Sequence, residues 1–406
     1  MSTLEVNKIT PVDGGTAVTI GDSGDTFTVT SGATFNASSS NLANRPNAQP
    51  IMINGDMAVA QYGTSNTNFS NATLVVDRIK GIANGLGSSG SVLTGSQSTD
   101  APTGFEKSFK LEVTSAGGLD SADNRFAIET KFEHQDVSKF FDNNAMTLSF
   151  YVKSSLADTF AVGIARNNQN TSSGGNLYIA NYTISSANTW QQVVINIPTS
   201  STTTGETANA TGVSLEWFMD IKTGGSRTGA SLGWNDTATA VQINSAAADN
   251  GFFNATNTWL ITGVQLEVGT YTSSTLPPFQ HETFGSNLAR CQRYYQEIAN
   301  EAKNGGNDTS IGITNSYNSS SMDCIIQFKQ SMRAKPTLNQ NTGSNMFRWY
   351  GNGSSATMTS LSIGADSNNT ESVNLQQGSS ITTAQGSSGN LQTMASDAFV
   401  AVDAEL

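Results

Sequence analysis

The sequence predicts an all-β protein with one short helix, and three observations carry that prediction. Apolar residues alternate with polar ones over short runs, the period of a strand with one buried face. Clusters of Gly, Ser, Asn and Asp separate those runs, as turns do. Of 406 residues only 13% are charged and 36% are hydrophobic, with 38 glycines. That composition suits short strands and polar turns, and the alternation is too regular for a disordered chain.

Residues 1–45 read as a string of short β segments. Leu4/Val6, Val18/Ile20 and Phe27/Val29 alternate between turns at Asp13-Gly14-Gly15 and at 21–25. So few apolar groups cannot bury a core alone, so the segment needs sister chains around an axis or a docking protein. Residues 36–50 read as a linker. A β-sandwich or jelly roll is predicted over 46–285. Met146, Leu148, Phe150 and Val152 share one strand face, as do Gln191, Val193, Ile195 and Ile197. Val213, Leu215, Trp217, Met219 and Ile221 share another, opposite Ser214, Glu216, Phe218 and Asp220. Leu260, Thr262, Val264, Leu266 and Val268 line the last strand of this region, with Gly263, Gln265 and Glu267 opposite.

Pro277 and Pro278 stop that strand. A connecting helix capped by Ser286 is then predicted over 286–300, with Leu288, Cys291, Tyr295 and Ile298 at helical spacing. The four pack on their own β domain or bundle with sister helices. The whole stretch 259–295 reads as a hinge between two β domains. Over 301–406 a smaller β domain follows, where Ile311/Ile313, Cys324/Ile326/Phe328 and Ala398/Val400/Val402/Ala404 alternate.

A net charge of -12 argues against nucleic acid as a partner, because phosphate is repelled. No eighteen apolar residues run together, so no membrane-spanning helix is expected. The start, Met1 to Val6, lacks the basic-then-apolar pattern of a signal peptide. Two cysteines, Cys291 and Cys324, make neither a disulfide framework nor a zinc site.

Several motifs invite chemistry and fail on context. The GxGxxG at 85–90 is followed by Ser91-Val92-Leu93-Thr94 rather than a helix that could hold phosphate. The GDSG at 21–24 has no histidine before it to act as base, because the two histidines are His134 and His281. Neither histidine has a second ligand at metal spacing. Asp22/Asp25 and Asn307/Asp308 do not reproduce a calcium ligand series. Glu129/Glu133 and Glu216/Asp220 are the nearest carboxylate pairs for a glycosidase, and Glu216 and Asp220 read as solvated. No cofactor is expected. Sugar contact needs only an aromatic face with amides and carboxylates beside it. Trp234, Asn235 and Asp236 in a polar loop, and Trp349-Tyr350, are the candidates; packing is the alternative for each.

Certain stretches also resemble a known family. "GVQLEVG" followed by "PPFQHETFGSNLARCQRYY" is similar to a junction in bacteriophage tail-fibre and other virion appendage proteins, where a carbohydrate-module-like jelly roll hands over to a short helix. "INGDMAVAQYGTS", "VVDRIKG", "LSFYVKS", "WQQVVINIP", "MRAKPT" and the final "VDAEL" extend the likeness. The opening "TLEVNKITPVDGGTAVTIGDSGDTF" resembles the N-terminal segment of such proteins from marine phages. The resemblance implies a non-enzymatic virion protein made in host cytoplasm. It implies a homotrimer held by a tail or adaptor protein through Leu4, Val6 and Ile9, with host-surface glycan as its outer partner. A polysaccharide-degrading tailspike and a purely structural decoration protein are the alternatives.

Overall fold

The computed structural model describes residues 49–406 apart from 87–89, 122–123, 142–143, 167–176, 200–210, 223–231, 236–247, 306–307, 365–367 and 378–380. Asn47–Leu406 forms one compact unit. Leu4, Val6, Ile9 and Asp236 lie outside the described residues.

The all-β prediction holds, with two α-helices among the described residues in place of one. The first part carries β1 (Ser65–Asn66), β2 (Lys80–Asn84), β3 (Val92–Ser98), β4 (Ser108–Ser115) and β5 (Arg125–Glu133), then helix α1 (His134–Phe141). There follow β6 (Met146–Ser154), β7 (Thr159–Arg166), β8 (Leu177–Thr183), β9 (Gln191–Ile197), β10 (Thr211–Ile221), β11 (Gly233–Asn235) and β12 (Thr258–Val268). They form two six-stranded sheets, ordered β1-β3-β4-β12-β6-β9 and β11-β8-β7-β10-β5-β2. One core fills the space between them: Phe109 and Leu111 of β4, Leu148 and Phe150 of β6, Phe126 and Ile128 of β5, Leu215 and Trp217 of β10. Period-two patterning placed those side chains inward, as it does in sandwiches.

Register shifts break that period at several places in the described ladders, and three of them re-aim side chains that matter here. In β12, Thr262 pairs with Tyr151 but Gln265 with Ser149, so one residue is added between them. Trp259 and Ile261 therefore face the core before the bulge, and Val264 and Leu266 after it. The single face predicted for 260–268 is corrected: Leu260 and Thr262 point the other way. Gly263 takes φ +61°, and a Cβ there would stand 2.6 Å from Phe105 Cζ and 2.9 Å from Tyr151 Cδ2. Gly263→Ala is expected to cost about 1–3 kcal/mol, read as a lower urea midpoint with unchanged slope. In β10, a shift between Phe218 and Asp220 moves Ile221 off the Trp217 face. It joins Ala127, Ala161, Ile179 and Phe218 in a second cluster on the opposite face of the sheet. Both faces of β10 are thus covered, so Glu216 and Asp220, expected in solvent, are buried.

Helix α2 (Phe284–Gln292) comes next, capped by Thr283, whose hydroxyl accepts from the Ser286 N–H, rather than by Ser286. It ends earlier than predicted. Tyr295 and Ile298 belong to β13 (Tyr295–Asn300), so the four helical contact candidates do not share one helix face. After β13 come β14 (Ser310–Asn318), β15 (Ser321–Gln327), β16 (Thr337–Gln340), β17 (Phe347–Gly351) and β18 (Ser354–Met358). The last strands are β19 (Leu361–Ile363), β20 (Ser372–Gln377), β21 (Ser388–Thr393) and β22 (Phe399–Asp403). A three-stranded sheet, β13-β22-β16, and a seven-stranded sheet, β18-β17-β21-β14-β15-β20-β19, share a core with Met322, Cys324, Trp349, Leu375, Val400 and Val402. A third shift, between Ser310 and Gly312, separates Ile311, packed on that core, from Ile313, which faces out.

Candidate functional site

Asn47–Leu406 being one compact unit, the stretch predicted as a hinge is a seam within it. Five of the family-like stretches meet there. "VVDRIKG" brings Asp77 and Arg78, a charged pair inside an apolar run, both buried. The Arg78 guanidinium lies over the Tyr294 ring, 3.5 Å from its centroid. It pairs with Glu405 of "VDAEL" and donates to the Lys131 carbonyl of β5. Its φ of +71° is a strained conformation for a side-chain-bearing residue, tolerated where surrounding contacts over-determine it.

Asp77 accepts from Gln61 twice, from its backbone N–H at 2.6 Å and from Nε2 at 2.5 Å. Burial outweighs those bonds and pushes its pKa up to about 7. Next to Gln61, the Tyr62 ring stacks on Tyr295 with centroids 3.8 Å apart. From the helix stretch, Arg293 grips Glu133 of β5 with two bonds, Nε at 2.7 Å and Nη2 at 2.8 Å. The Tyr294 hydroxyl donates to the same carboxylate at 2.8 Å. Burial works to raise the Glu133 pKa, but these donors outweigh it and hold the carboxyl below its ordinary value. Arg333 of "MRAKPT" donates through Nε to the Ala404 carbonyl at 2.9 Å. Asn287 donates to Asp56 at 3.1 Å and accepts from the Asn54 N–H at 3.2 Å. The junction thus bonds the sandwich, α2 and the C-terminal strands by charge and hydrogen bond. Cys291 and Tyr295 are buried within it, which removes them as contacts with a sister helix. Leu288 is half-buried, and Ile298 packs against the C-terminal core.

Beside the seam opens a cleft of about 350 Å³ whose lining includes Asp56, Phe105, Lys107, His281, Glu282 and Phe284. His281 packs among aromatics, 5.2 Å from Phe105 and 4.8 Å from Phe279 between ring centroids. Phe284 presents most of its ring to solvent. Aromatic faces with carboxylates and a cation around them are groups that hold a sugar ring and its hydroxyls. Sequence reasoning missed this cleft because its residues come from three distant stretches.

The predicted sugar-contact residues fare unequally. Trp349 is core, with its indole donating to Thr314 Oγ1 at 2.8 Å. As neighbours on one strand Trp349 and Tyr350 point to opposite faces, and Tyr350 is exposed. Trp234 sits on edge strand β11 rather than in a loop. It meets Tyr178 edge-on at 5.5 Å and donates to the Pro198 carbonyl at 2.7 Å. Asn235 donates to the Gly233 carbonyl at 3.0 Å.

Three of the four carboxylates in the glycosidase-like pairs have structural partners. Glu129 is flanked by Lys80 at 3.3 Å and Lys131 at 3.5 Å, and Glu133 is held by Arg293. Asp220 accepts from the Ile221, Gly251 and Phe253 N–H groups around the 3-10 turn Phe252–Asn254. Burial pushes its pKa up to about 6. Glu216 stands directly across from Glu129 in the β10–β5 ladder. Among the described residues no cluster of His, Cys, Asp or Glu fits a metal ion. No helix there is long and apolar enough to cross a membrane.

No protein-family model and no curated protein matches the sequence. Parts of the chain resemble solved β structures. The family 11 carbohydrate-binding module from Clostridium thermocellum, solved with a mixed-linked tetrasaccharide, is 12% identical, covers 55% of this chain and 99% of its own, and gives a TM-score of 0.27. A family 30 carbohydrate-binding module is 11% identical, with 59% and 97% covered and a TM-score of 0.29. The enzymatically active domain of bacteriophage CBA120 tailspike protein 4 is 14% identical, with 51% of this chain but 22% of that one covered and a TM-score of 0.27. At such TM-scores no functional inference passes from these proteins to this chain.

Proposed function

We propose that the protein is a phage tail fibre or related virion appendage: multi-copy, held at the particle by its N-terminal segment and contacting host-surface glycan without cleaving it. The supporting observation is the seam. Of the stretches that resemble the appendage family, five that are scattered between residue 53 and residue 406 build one buried polar junction. That convergence supports reading the likeness as one to a structural unit. In this reading the homotrimer sits on a tail or adaptor protein, and the sandwich and C-terminal strands face outward as one body. Sugar contact falls at the cleft beside the seam, weak at each copy and strengthened by several copies binding together.

The individual structural tasks of Glu129, Glu133 and Asp220 speak against hydrolysis. A glycosidase needs one carboxylic acid and one carboxylate free to exchange protons across a substrate.

The test uses the full chain and purified host polysaccharides. Wild type is expected to bind at least one of them without releasing reducing ends. Phe284→Ala removes an exposed ring, so stability should move by less than about 0.5 kcal/mol. Binding should fall about tenfold, equivalent to about 1.4 kcal/mol. Unchanged binding in Phe284→Ala would move the sugar site elsewhere. Release of reducing ends would establish the tailspike alternative.

A further inference from the structure

Among the described residues, four of the large exposed hydrophobics stand on one sheet: Ile313 (82% exposed), Tyr317 (72%), Ile325 (67%) and Tyr350 (55%). They lie on β14, β15 and β17 of the seven-stranded sheet, on the face away from its core. Ile313 is registered opposite Asn390 of β21, and Asn390 in turn opposite Tyr350 of β17. On the other side Ile325 is registered opposite Asn374 of β20. Tyr350, Asn390 and Ile313 thus stand in ladder order on three adjacent strands, with Ile325 and Asn374 on the next two, so the isoleucines of neighbouring strands are flanked by amides. Ile313 belongs to this row only because of the shift between Ser310 and Gly312, which turns it out where Ile311 turns in. Shifts of this kind re-aim side chains and act as built features of a sheet.

We infer that this face is where copies of the chain meet; the inference rests on the multi-copy reading above. Charge selects the partner. The chain carries a net charge of -12, so copies repel wherever unpaired acids approach one another. On this face Asp323 already accepts from Asn374 Nδ2 and Gln376 Nε2, each at 2.7 Å. Arg348 is paired with Asp308 at 2.6 Å. The remaining polar groups are amides and hydroxyls, Ser355 and Thr357 of β18 and Ser388 of β21 among them, which donate and accept alike and so complement themselves across a symmetric contact. A strongly charged partner would find no charge row to match. A sugar would find branched aliphatic side chains at the centre of the row, where stacking calls for a flat ring.

A thiol introduced at exposed Asn315, opposite Asp323 on the same face, reports on cover. The two native thiols are buried, and burial pushes the Cys324 pKa up to about 11, so neither competes for maleimide. In full chain shown by native mass to be multimeric, Asn315→Cys is expected to label at least tenfold more slowly than Ser186→Cys, placed in an exposed turn. Adding Ile313→Asp and Ile325→Asp should bring the two rates together. Equal rates in an unaltered multimer overturn the inference while leaving the multi-copy reading standing. A chain that is monomeric by mass overturns both. Protection that appears only when host glycan is added makes the occupant a sugar and overturns the copy contact.

Discussion

Replacing Arg78 with Ala is expected to destabilise the protein by about 3–5 kcal/mol, the range found when one member of a buried charge pair is removed. The guanidinium neutralises Glu405, covers the Tyr294 ring and satisfies the Lys131 carbonyl. Without it the Glu405 carboxyl, already raised by burial, is left without its counter-charge. Arg78→Lys keeps the charge but loses the planar fork and its stacking on Tyr294, so it should recover less than half of the loss. Lys110→Ala, which removes a half-exposed partner of Glu112 at 2.6 Å, should cost less than about 1 kcal/mol. Urea denaturation of the three variants side by side gives the comparison. Equal small losses for Arg78→Ala and Lys110→Ala would mean that the seam contributes no more than a surface pair.

The second large effect is on pH. Asp77 has a folded pKa of about 7, against about 3.9 in an unfolded chain. Folding therefore takes up a proton between those values, and the folded state holds more protons than the unfolded one throughout that window. Stability contributed by this group is full below about pH 4, falls as pH rises from 4 to 7, and stays at its lower level above 7. The drop is on the order of 4 kcal/mol. Asp220 and Glu405 shift in the same direction, for the same first cause, burial. Glu133 and Asp100 shift the other way, and their stabilisation is lost only at acid pH, as each is protonated. Between pH 5 and 8 the raised carboxyls should dominate, so the urea midpoint is expected to be higher at pH 5. Asp77→Asn, neutral throughout, should flatten most of that dependence. Identical pH profiles for wild type and Asp77→Asn would show that Asp77 titrates as an ordinary carboxyl.

Long strands with a regular register were legible in the sequence. Met146, Leu148, Phe150 and Val152 point inward together, as do Val213, Leu215, Trp217 and Met219. What the alternation does not reveal is where a ladder takes an extra residue. Gly263 and Gly312 are visible marks of two such places, but the shift at Phe218/Asp220 leaves no comparable signal. The four-residue spacing from Cys291 to Tyr295 imitated a helix because strand β13 begins directly after α2, with both Tyr294 and Tyr295 buried. Helix α1 was missed because its eight residues follow β5 directly, without an intervening turn. Solvation of Glu216 and Asp220 was inferred from a polar face that other residues cover. The junction itself was present only as a set of family-like strings. Asp77-Arg78 between Val76 and Ile79 is the one local hint that charges would be buried in pairs.

Native-state hydrogen exchange at increasing denaturant tests most directly whether the seam joins the two β cores into one body. Peptides from β10, inside the sandwich, and from β21 and β22, inside the C-terminal core, are the ones to compare. If the seam joins the cores, their protection is lost along a common line at one opening free energy in wild type and separates in Arg78→Ala. C-terminal peptides that open at lower denaturant than β10 in the wild-type chain would contradict it: sandwich and C-terminal strands would then be independent domains that merely touch.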